Sequence, residues 1–267
     1  MQTNSLWLGK MRQPVKMLAI ASGCITGVIY LYLLSTHLWA EEGMGLYEMI
    51  RPEGRPIVPV TWVSVAFTLI MTSLYFSDTK GAIEPVPDGF FDKLTLVTSR
   101  LTMIAIAVIV MVMFYEVVAR YVFSAPTLWA NEMSLWIAAF VFLFAGQYAM
   151  QQRSHIRIYV IYDMMPRWAQ KTADVISVVL IVFFAFALVW GGYNDAAARW
   201  ARMEVFGTFW DPPIPGTLKA SLLAIISLVA VQAVSNLFSD WNKAPEHLAH
   251  DDIDETEIEN IRKTLEQ

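Results

Sequence analysis

Charge and cysteine are the two things of which this chain has little. Only 16% of its 267 residues are charged, and Cys24 is its one cysteine. A single cysteine excludes an intramolecular disulfide and a cysteine metal cluster, so Cys24 is interpreted as a small packing residue. The scarcity of charge, together with 56% hydrophobic residues and a mean hydropathy of +0.47, indicates a membrane protein rather than an ordinary globular domain.

Motifs for nucleotide, metal and redox chemistry are also missing. The chain contains no G-x-x-x-x-G-K-[ST], no H-E-x-x-H and no C-x-x-C, and GMGLYE lacks the third glycine of a dinucleotide turn. Histidines 37, 155, 247 and 250 fall near a span end, in a loop or in the tail, which does not support haem ligation between spans. We therefore predict no cofactor, no metal site and no enzymatic activity, and we expect no nucleic-acid partner.

Stretches without charge locate the membrane spans. A helix needs roughly 20 apolar residues to cross a hydrocarbon core of about 30 Å. The predicted spans are 17–36, 56–77, 95–119, 133–152, 175–194 and 220–239. The third has the shortest apolar window, flanked by Arg100 and Glu116, whose side chains could reach water from the boundary. The predicted fold class is all-α, a polytopic membrane helix bundle of about six transmembrane helices.

The first span has an alternative interpretation as a cleaved signal peptide. Lys10, Arg12 and Lys16 precede it as an n-region would. The apolar run is longer than the usual h-region of about 7 to 15 residues, and THLWAEE is a poor cleavage site, so a retained helix is favoured.

Basic residues predict the orientation. With a cytoplasmic N-terminus, 13 of the 19 Lys and Arg residues fall on the cytoplasmic side. Positive charge is enriched in cytoplasmic connections. Both termini are therefore expected in the cytoplasm, and the connection between the third and fourth spans on the outer side.

Composition divides the chain into three parts. Residues 78–92, DTKGAIEPVPDGFFD, form a polar connection rich in Gly, Pro and acids. It separates an N-terminal extension with two transmembrane helices, 1–90, from a four-helix membrane domain, 91–240. The remaining residues, 241–267, form an acidic cytoplasmic tail, either as a short helix or as a solvated segment.

The most informative charges are Glu116, Arg120 and Glu132. Glu116 and Arg120 are four residues apart and share a helix face, and Glu132 falls in the opening turns of the next span, where the helix dipole favours an anion. The turn FSAPT is expected to bring Arg120 back toward Glu132. The result is either a polar clamp between the third and fourth spans or an ion pair exposed to water.

An aromatic stripe and several glycines suggest packing surfaces. Trp129, Glu132, Trp136, Phe140 and Phe144 share one helix face and are expected to pack on another helix. Glycines inside the spans, including Gly146, fit close helix packing. No predicted span has a proline near its middle or a charge deep inside, as the site of a coupled carrier would. The helices are interpreted as scaffold.

Three stretches, EVVARYVF, WANEMSLW and FLFAGQYAMQQRSHIRI, resemble the small membrane subunit (DctQ-type) of the tripartite ATP-independent periplasmic, or TRAP, transporters. The matching positions are Glu116, Arg120, Tyr121, Phe123, Trp129, Glu132, Gly146, His155, Ile156 and Arg157. WDPPIPGTLK and the following helix with Gln232 are also similar, so the resemblance covers about 92–240. Tyr159 stands where the family usually has an acid, and the first two helices exceed the usual four-helix plan.

The resemblance implies a function in transport. The small subunit would scaffold a large permease subunit (DctM-type) for sodium-coupled uptake of a dicarboxylate-like organic acid, delivered by a periplasmic solute-binding protein (DctP-type), in the bacterial inner membrane. The expected structural or interface residues are Glu116, Arg120, Tyr121, Trp129, Glu132, Trp136, Gly146, His155 and Arg157. His155 and Arg157 could equally contact membrane lipids.

Two other classes stay open from the sequence. One is a membrane assembly protein unrelated to transport. The other is a membrane enzyme with Glu116 or Glu132 as general base, although no nucleophile, metal ligands or cofactor motif accompanies these acids.

Overall fold

The part of the chain that the structure describes forms six long α-helices. The computed structural model describes residues 5–36, 56–79, 81, 84, 87, 89–152, 162 and 164–242. The helices are α1 (Arg12–Ser35), α2 (Ile57–Phe76), α3 (Phe90–Tyr121), α4 (Ala130–Gln151), α5 (Arg167–Ala201) and α6 (Ile214–Asp240). A 3-10 turn, Gly9–Met11, leads into α1. The described residues contain no strand, so the all-α prediction is confirmed.

All six helices are long and apolar enough to cross a membrane, which confirms the predicted number of spans. At 1.5 Å per residue, the 32 residues of α3 and the 35 of α5 run about 48 and about 52 Å. Both are longer than a perpendicular crossing of a hydrocarbon core of about 30 Å requires. The cytoplasmic position of the termini stays a prediction.

Proline and glycine define several helix starts. α2, α5 and α6 each follow a proline, Pro56, Pro166 and Pro213, which has a restricted φ and no N–H donor to leave unsatisfied. α3 follows Gly89, whose φ of +119° is closed to residues with a side chain.

α3 and α5 end in the same way. Ser124, at φ +52°, follows α3, and Met203, at φ +45°, follows α5. The residue after each of them donates a backbone hydrogen bond to a carbonyl in the last turn of the helix. The Ala125 N–H donates to the Ala119 carbonyl at 2.9 Å, and the Glu204 N–H donates to the Arg199 carbonyl at 3.0 Å. A left-handed residue with such a return bond satisfies carbonyls that the helix end leaves free.

The helices pack mainly as a row, in the order α1, α2, α3, α4, α6, α5. The two extension helices lie at one end of this row, and α5 lies at the other, against α6. Burial is inverted relative to a protein in water: the buried side chains are about as often polar as hydrophobic, while most large apolar side chains are exposed. This distribution fits a bundle whose surroundings are lipid and whose polar groups must find partners inside the protein.

Candidate functional site

Glu116, near the end of α3, ties this helix to the turn that follows. The Arg120 guanidinium binds one carboxylate oxygen through Nε, at 2.9 Å, and through Nη2. The other oxygen accepts the Thr127 backbone N–H at 2.9 Å and the Thr127 hydroxyl. Glu116 is buried and Arg120 half-exposed. The carboxylate is therefore a fixed junction and not an acid open to solvent.

Thr127 connects this junction to the next helix. Its Oγ1 accepts the backbone N–H of Ala130, the first residue of α4, at 3.3 Å. The threonine thus satisfies one of the free amide donors of the α4 N-terminus. One side chain holds both the Glu116 carboxylate and the start of α4, so the contact joins α3 to α4.

The prediction that the turn FSAPT brings Arg120 to Glu132 was wrong. Glu132 lies in the first turn of α4, as predicted, but its carboxylate accepts the Thr208 hydroxyl at 2.7 Å, and Arg120 binds Glu116 instead. The physical reason is proximity, since Glu116 stands one helical turn before Arg120. Glu132 faces the connection between α5 and α6, which sequence spacing does not reveal.

A group of aromatic rings, the tryptophan cluster, surrounds this end of α4. It consists of Trp62, Trp129, Trp136 and Trp210. Trp129 and Trp210 are buried and pack in one apolar cluster, with Trp136 against it. The Trp136 ring lies 6.3 Å from Trp210 and 6.4 Å from Trp62 between centroids. Trp62 belongs to α2, so the cluster joins the extension to α4 and to the α5–α6 connection.

Trp136 and Trp129 make further contacts that fix their orientation. The Trp136 indole N–H donates to the Thr217 hydroxyl of α6 at 2.9 Å. Trp129 stacks on Tyr115 of α3, with 6.0 Å between centroids. Both tryptophans therefore pack on other helices, with indole faces and a polar edge used together.

A buried ion pair lies near the other end of the bundle. Arg100 of α3 donates to both carboxylate oxygens of Glu84, at 2.8 and 2.5 Å, and to the Thr79 carbonyl at 2.9 Å. The Tyr148 hydroxyl of α4 donates to Glu84 at 2.8 Å. Arg100 and Glu116 are thus both buried, and the expectation that they reach toward water was wrong, because each finds an internal partner.

Glu84 has a pKa below its ordinary value of 4.5. Burial by itself raises this pKa, but hydrogen bonds from Arg100, the Gly81 N–H and Tyr148, with the Arg100 charge, outweigh it. Glu84 belongs to the polar connection 78–92. The connection is therefore attached to the bundle through an ionised carboxylate.

A second buried network joins α3, α4 and α6. The Gln232 amide donates to Asp92 at 2.7 Å and to Asn236 at 2.9 Å. The Asn236 amide donates to the Met150 carbonyl of α4 at 2.7 Å. The resemblance had already singled out Gln232, although not its partner.

Asp78, after α2, holds the N-terminal segment. One of its oxygens accepts the Ser5 hydroxyl and the backbone N–H groups of Trp7 and Leu8, each at 2.9 Å, while Arg12 lies 3.2 Å from the other. Burial raises the Asp78 pKa, but these hydrogen bonds and the Arg12 charge outweigh it and lower the pKa below 3.8. Sequence reasoning missed this contact because its partners are about seventy residues apart.

The remaining predicted residues behave differently. Tyr121 is exposed. Gly146 is exposed, and a Cβ built on it would meet no atom of the described residues within 4 Å, so it does not serve close packing among them. Gly216 does, because its Cβ would lie 2.9 Å from the Glu204 backbone nitrogen. His155 and Arg157 lie outside the described residues, as do Tyr159 and most of the tail.

A comparison with known families found a match over part of the chain. The family model described as "Tripartite ATP-independent periplasmic transporters, DctQ component" matches residues 109–243, just over half of the chain. The match runs from the second half of α3 through α6 and includes the Glu116 junction, Trp136 of α4, Trp210 of the α5–α6 connection, and Gln232. A comparison with curated proteins found no match.

Proposed function

The chain belongs to the DctQ family, the small membrane component of TRAP transporters, and from this premise we propose that it scaffolds the large permease subunit (DctM-type). Membership makes it a multi-pass membrane protein of a transporter family, which is not an enzyme family. The proposed role is to hold a fixed frame in the bilayer while another subunit moves the substrate.

The observation that carries this proposal is the use of the buried charges. The described residues include five buried charged side chains, Asp78, Glu84, Asp92, Arg100 and Glu116. Each binds another part of the chain. A side chain already held by such bonds gains nothing by exchanging them for a substrate. These charges therefore act as internal ties, and the substrate site is assigned to the partner.

The proposal includes the rest of the transport system. A periplasmic solute-binding protein (DctP-type) would deliver a dicarboxylate-like organic acid, and sodium would drive its uptake through the large subunit across the bacterial inner membrane. The family assignment supports association with such a complex in general. Sodium coupling and the substrate class rest on the resemblance alone.

We also propose that the N-terminal extension, 1–90, enlarges this scaffold rather than forming a separate unit. Trp62 contacts Trp136, and Glu84 binds Arg100 and Tyr148. The extension thus contacts the four-helix domain, 91–240, at two levels of the bundle. The extension covers one side of α3 and α4. A large subunit that docks on the four-helix domain must therefore bind to another side.

Affinity purification from native-like membranes tests the scaffold role. We expect a tagged chain to bring down a large multi-span subunit, and Glu132→Ala to weaken this association or the coupled uptake. A preparation without such a partner would favour an unrelated assembly protein. If the purified unmutated chain catalysed a reaction on its own, and Glu116→Gln abolished that reaction, the enzyme alternative would be favoured.

A reporter fusion tests the proposed orientation. With cytoplasmic termini, a reporter inserted after Trp129 is expected to read as external, since basic residues favour the opposite side. A cytoplasmic signal there would reverse the assignment of every connection.

A further inference from the structure

An apolar groove of about 470 Å³ runs between α5 and α6. Its walls include Val178, Val182 and Phe186 of α5 and Val234, Leu237 and Phe238 of α6. A smaller groove of about 220 Å³ shares Val182 and Val234 with it. Phe186 and Phe238 are largely exposed, so the groove opens sideways to whatever surrounds the bundle.

The position of α5 explains why this groove exists. α5 is the terminal helix of the row and packs mainly on α6. Residues 178, 182 and 186 follow each other at intervals of four along α5, so their side chains form one wall. Ala185 of α5 and Ala230 of α6 are buried. Because both side chains are small, they do not fill the space between the larger valine and phenylalanine side chains beside them, and a groove remains.

A cation and an indole stand at one end of the groove. Lys171 precedes Val178 by two turns on the same face of α5, and Trp241 follows Phe238 by about one turn. The Lys171 ammonium lies 4.8 Å from the centre of the Trp241 ring. Within the described part of the chain, no carboxylate forms an ion pair with Lys171. The nearby Asp174 carboxylate accepts the Tyr162 hydroxyl at 2.7 Å.

Lys171 also stands at the right depth for the membrane interface. The uncharged run of α5 begins at 175, about 6 Å along the axis at 1.5 Å per residue. Lysine extends its charged end into the headgroup layer while its carbon chain stays on apolar surface. Tryptophan favours the same layer.

We propose that this groove is a binding site for an anionic phospholipid. One acyl chain lies along the valine and phenylalanine walls, and the headgroup phosphate lies against the Lys171 ammonium beside the Trp241 indole. This arrangement pairs each part of the lipid with matching chemistry: apolar chain with apolar wall, and anion with cation.

A protein helix fits the same place less well. A helix docked along the full groove would cover its end and separate Lys171 from water, and it would have to place a carboxylate at that position to pair the ammonium. Burying an unpaired ammonium costs far more than apolar contact returns. A phosphate removes this cost. The inference concerns the chain itself and does not depend on the scaffold role.

Lipid retention by the purified full-length chain tests the headgroup contact. The chain is equilibrated with phosphatidylcholine vesicles with or without phosphatidylglycerol, extracted in mild detergent and examined by native mass spectrometry. We expect retained phosphatidylglycerol, reduced about fivefold by Lys171→Ala, the effect of one basic residue near an anionic surface. Lys171→Arg should retain it. Lys16→Ala, which removes an exposed lysine from the start of α1, is the matched control.

Photo-crosslinking of the unmutated chain tests the groove without relying on a variant. Phosphatidylglycerol with a photoreactive acyl chain should label peptides around residues 178–186 and 234–238 in preference to α1 and α2. Val182→Phe should lower this labelling by filling the groove. Equal labelling of all helices, or equal retention in Lys171→Ala and unmutated chain, would overturn the proposal. Loss of groove labelling when the large subunit is bound would assign the groove to a protein helix instead.

Discussion

Arg100 binds both carboxylate oxygens of Glu84, at 2.8 and 2.5 Å, and thereby attaches the polar connection 78–92 to the first helix of the four-helix domain. Both side chains are buried, so neither charge is stabilised by water. An ion pair in this setting is held by geometry and by the extra bonds from Thr79 and Tyr148.

Breaking this pair from one side should be costly. Glu84→Gln leaves the Arg100 charge buried, and Arg100→Met leaves the Glu84 charge buried, so we expect each to lower the free energy of unfolding by about 3 to 5 kcal/mol. The double variant should lose less than the sum, because it leaves no unpaired charge. Unfolding of all four proteins in detergent measures the coupling. Additive losses would show that the pair does not act as a unit.

Stability should also depend on pH through Glu84 and Asp78. The pKa of both groups is lowered on folding, so the unfolded chain takes up protons first as the pH falls. Their contribution is therefore present above the ordinary values of 4.5 and 3.8 and is lost as the pH falls through the lowered ones. Melting temperatures measured from about pH 7 to about pH 3 should fall at the acid end.

The acid loss should be smaller in Glu84→Gln, which has no carboxyl group to titrate at this position. An identical loss in the variant and the unmutated chain would assign the effect to other carboxylates.

The Thr127 hydroxyl, in the turn between α3 and α4, should contribute more to stability than the hydroxyl of a threonine inside a span. Thr127→Val removes a donor to Glu116 and an acceptor for the Ala130 N–H, and the lost bond to the charged Glu116 by itself contributes about 1.5 to 3 kcal/mol. We expect a comparable loss of stability. Thr102→Val is the matched control, since the Thr102 hydroxyl binds the Thr98 carbonyl of its own helix. Equal effects of the two changes would contradict the junction described for Glu116.

Two glycines should respond oppositely to alanine. Gly216→Ala places a methyl group 2.9 Å from a backbone nitrogen and 3.2 Å from the Arg199 carbonyl, and neither can move without disturbing the α5–α6 contact. Gly146→Ala meets open space. Only Gly216→Ala is therefore expected to lower the melting temperature of the isolated chain.

A larger residue at Gly146 separates chain stability from assembly. If this position belongs to the interface with the large subunit, Gly146→Leu should weaken co-purification while the chain melts normally. A Gly146→Leu chain that assembles fully would remove Gly146 from the proposed interface.

The helices were predictable from the sequence because length and absence of charge suffice for a membrane span. All six apolar windows correspond to helices. The ends were less predictable: α3 begins at Phe90 and not near 95, because polar residues continue a helix in the headgroup layer as readily as apolar ones. The i, i+4 spacing also predicted the pair of Glu116 and Arg120.

Contacts between distant parts of the chain were not predictable in this way. Glu132 meets Thr208 across 76 positions, and Gln232 meets Asp92 across 140. In a water-soluble domain, apolar periodicity would indicate the buried face and bring such pairs into view. In lipid the exposed face is equally apolar, so periodicity leaves the rotation of each helix open.

Uptake by reconstituted vesicles tests the central claim most directly. Proteoliposomes would contain the large permease subunit alone, this chain alone, or both, with the binding protein and an organic acid supplied outside under a sodium gradient. If the chain is a scaffold whose buried charges are internal ties, uptake should require both subunits, and the chain alone should give none. Uptake by this chain alone, or undiminished uptake by the large subunit without it, would contradict the account.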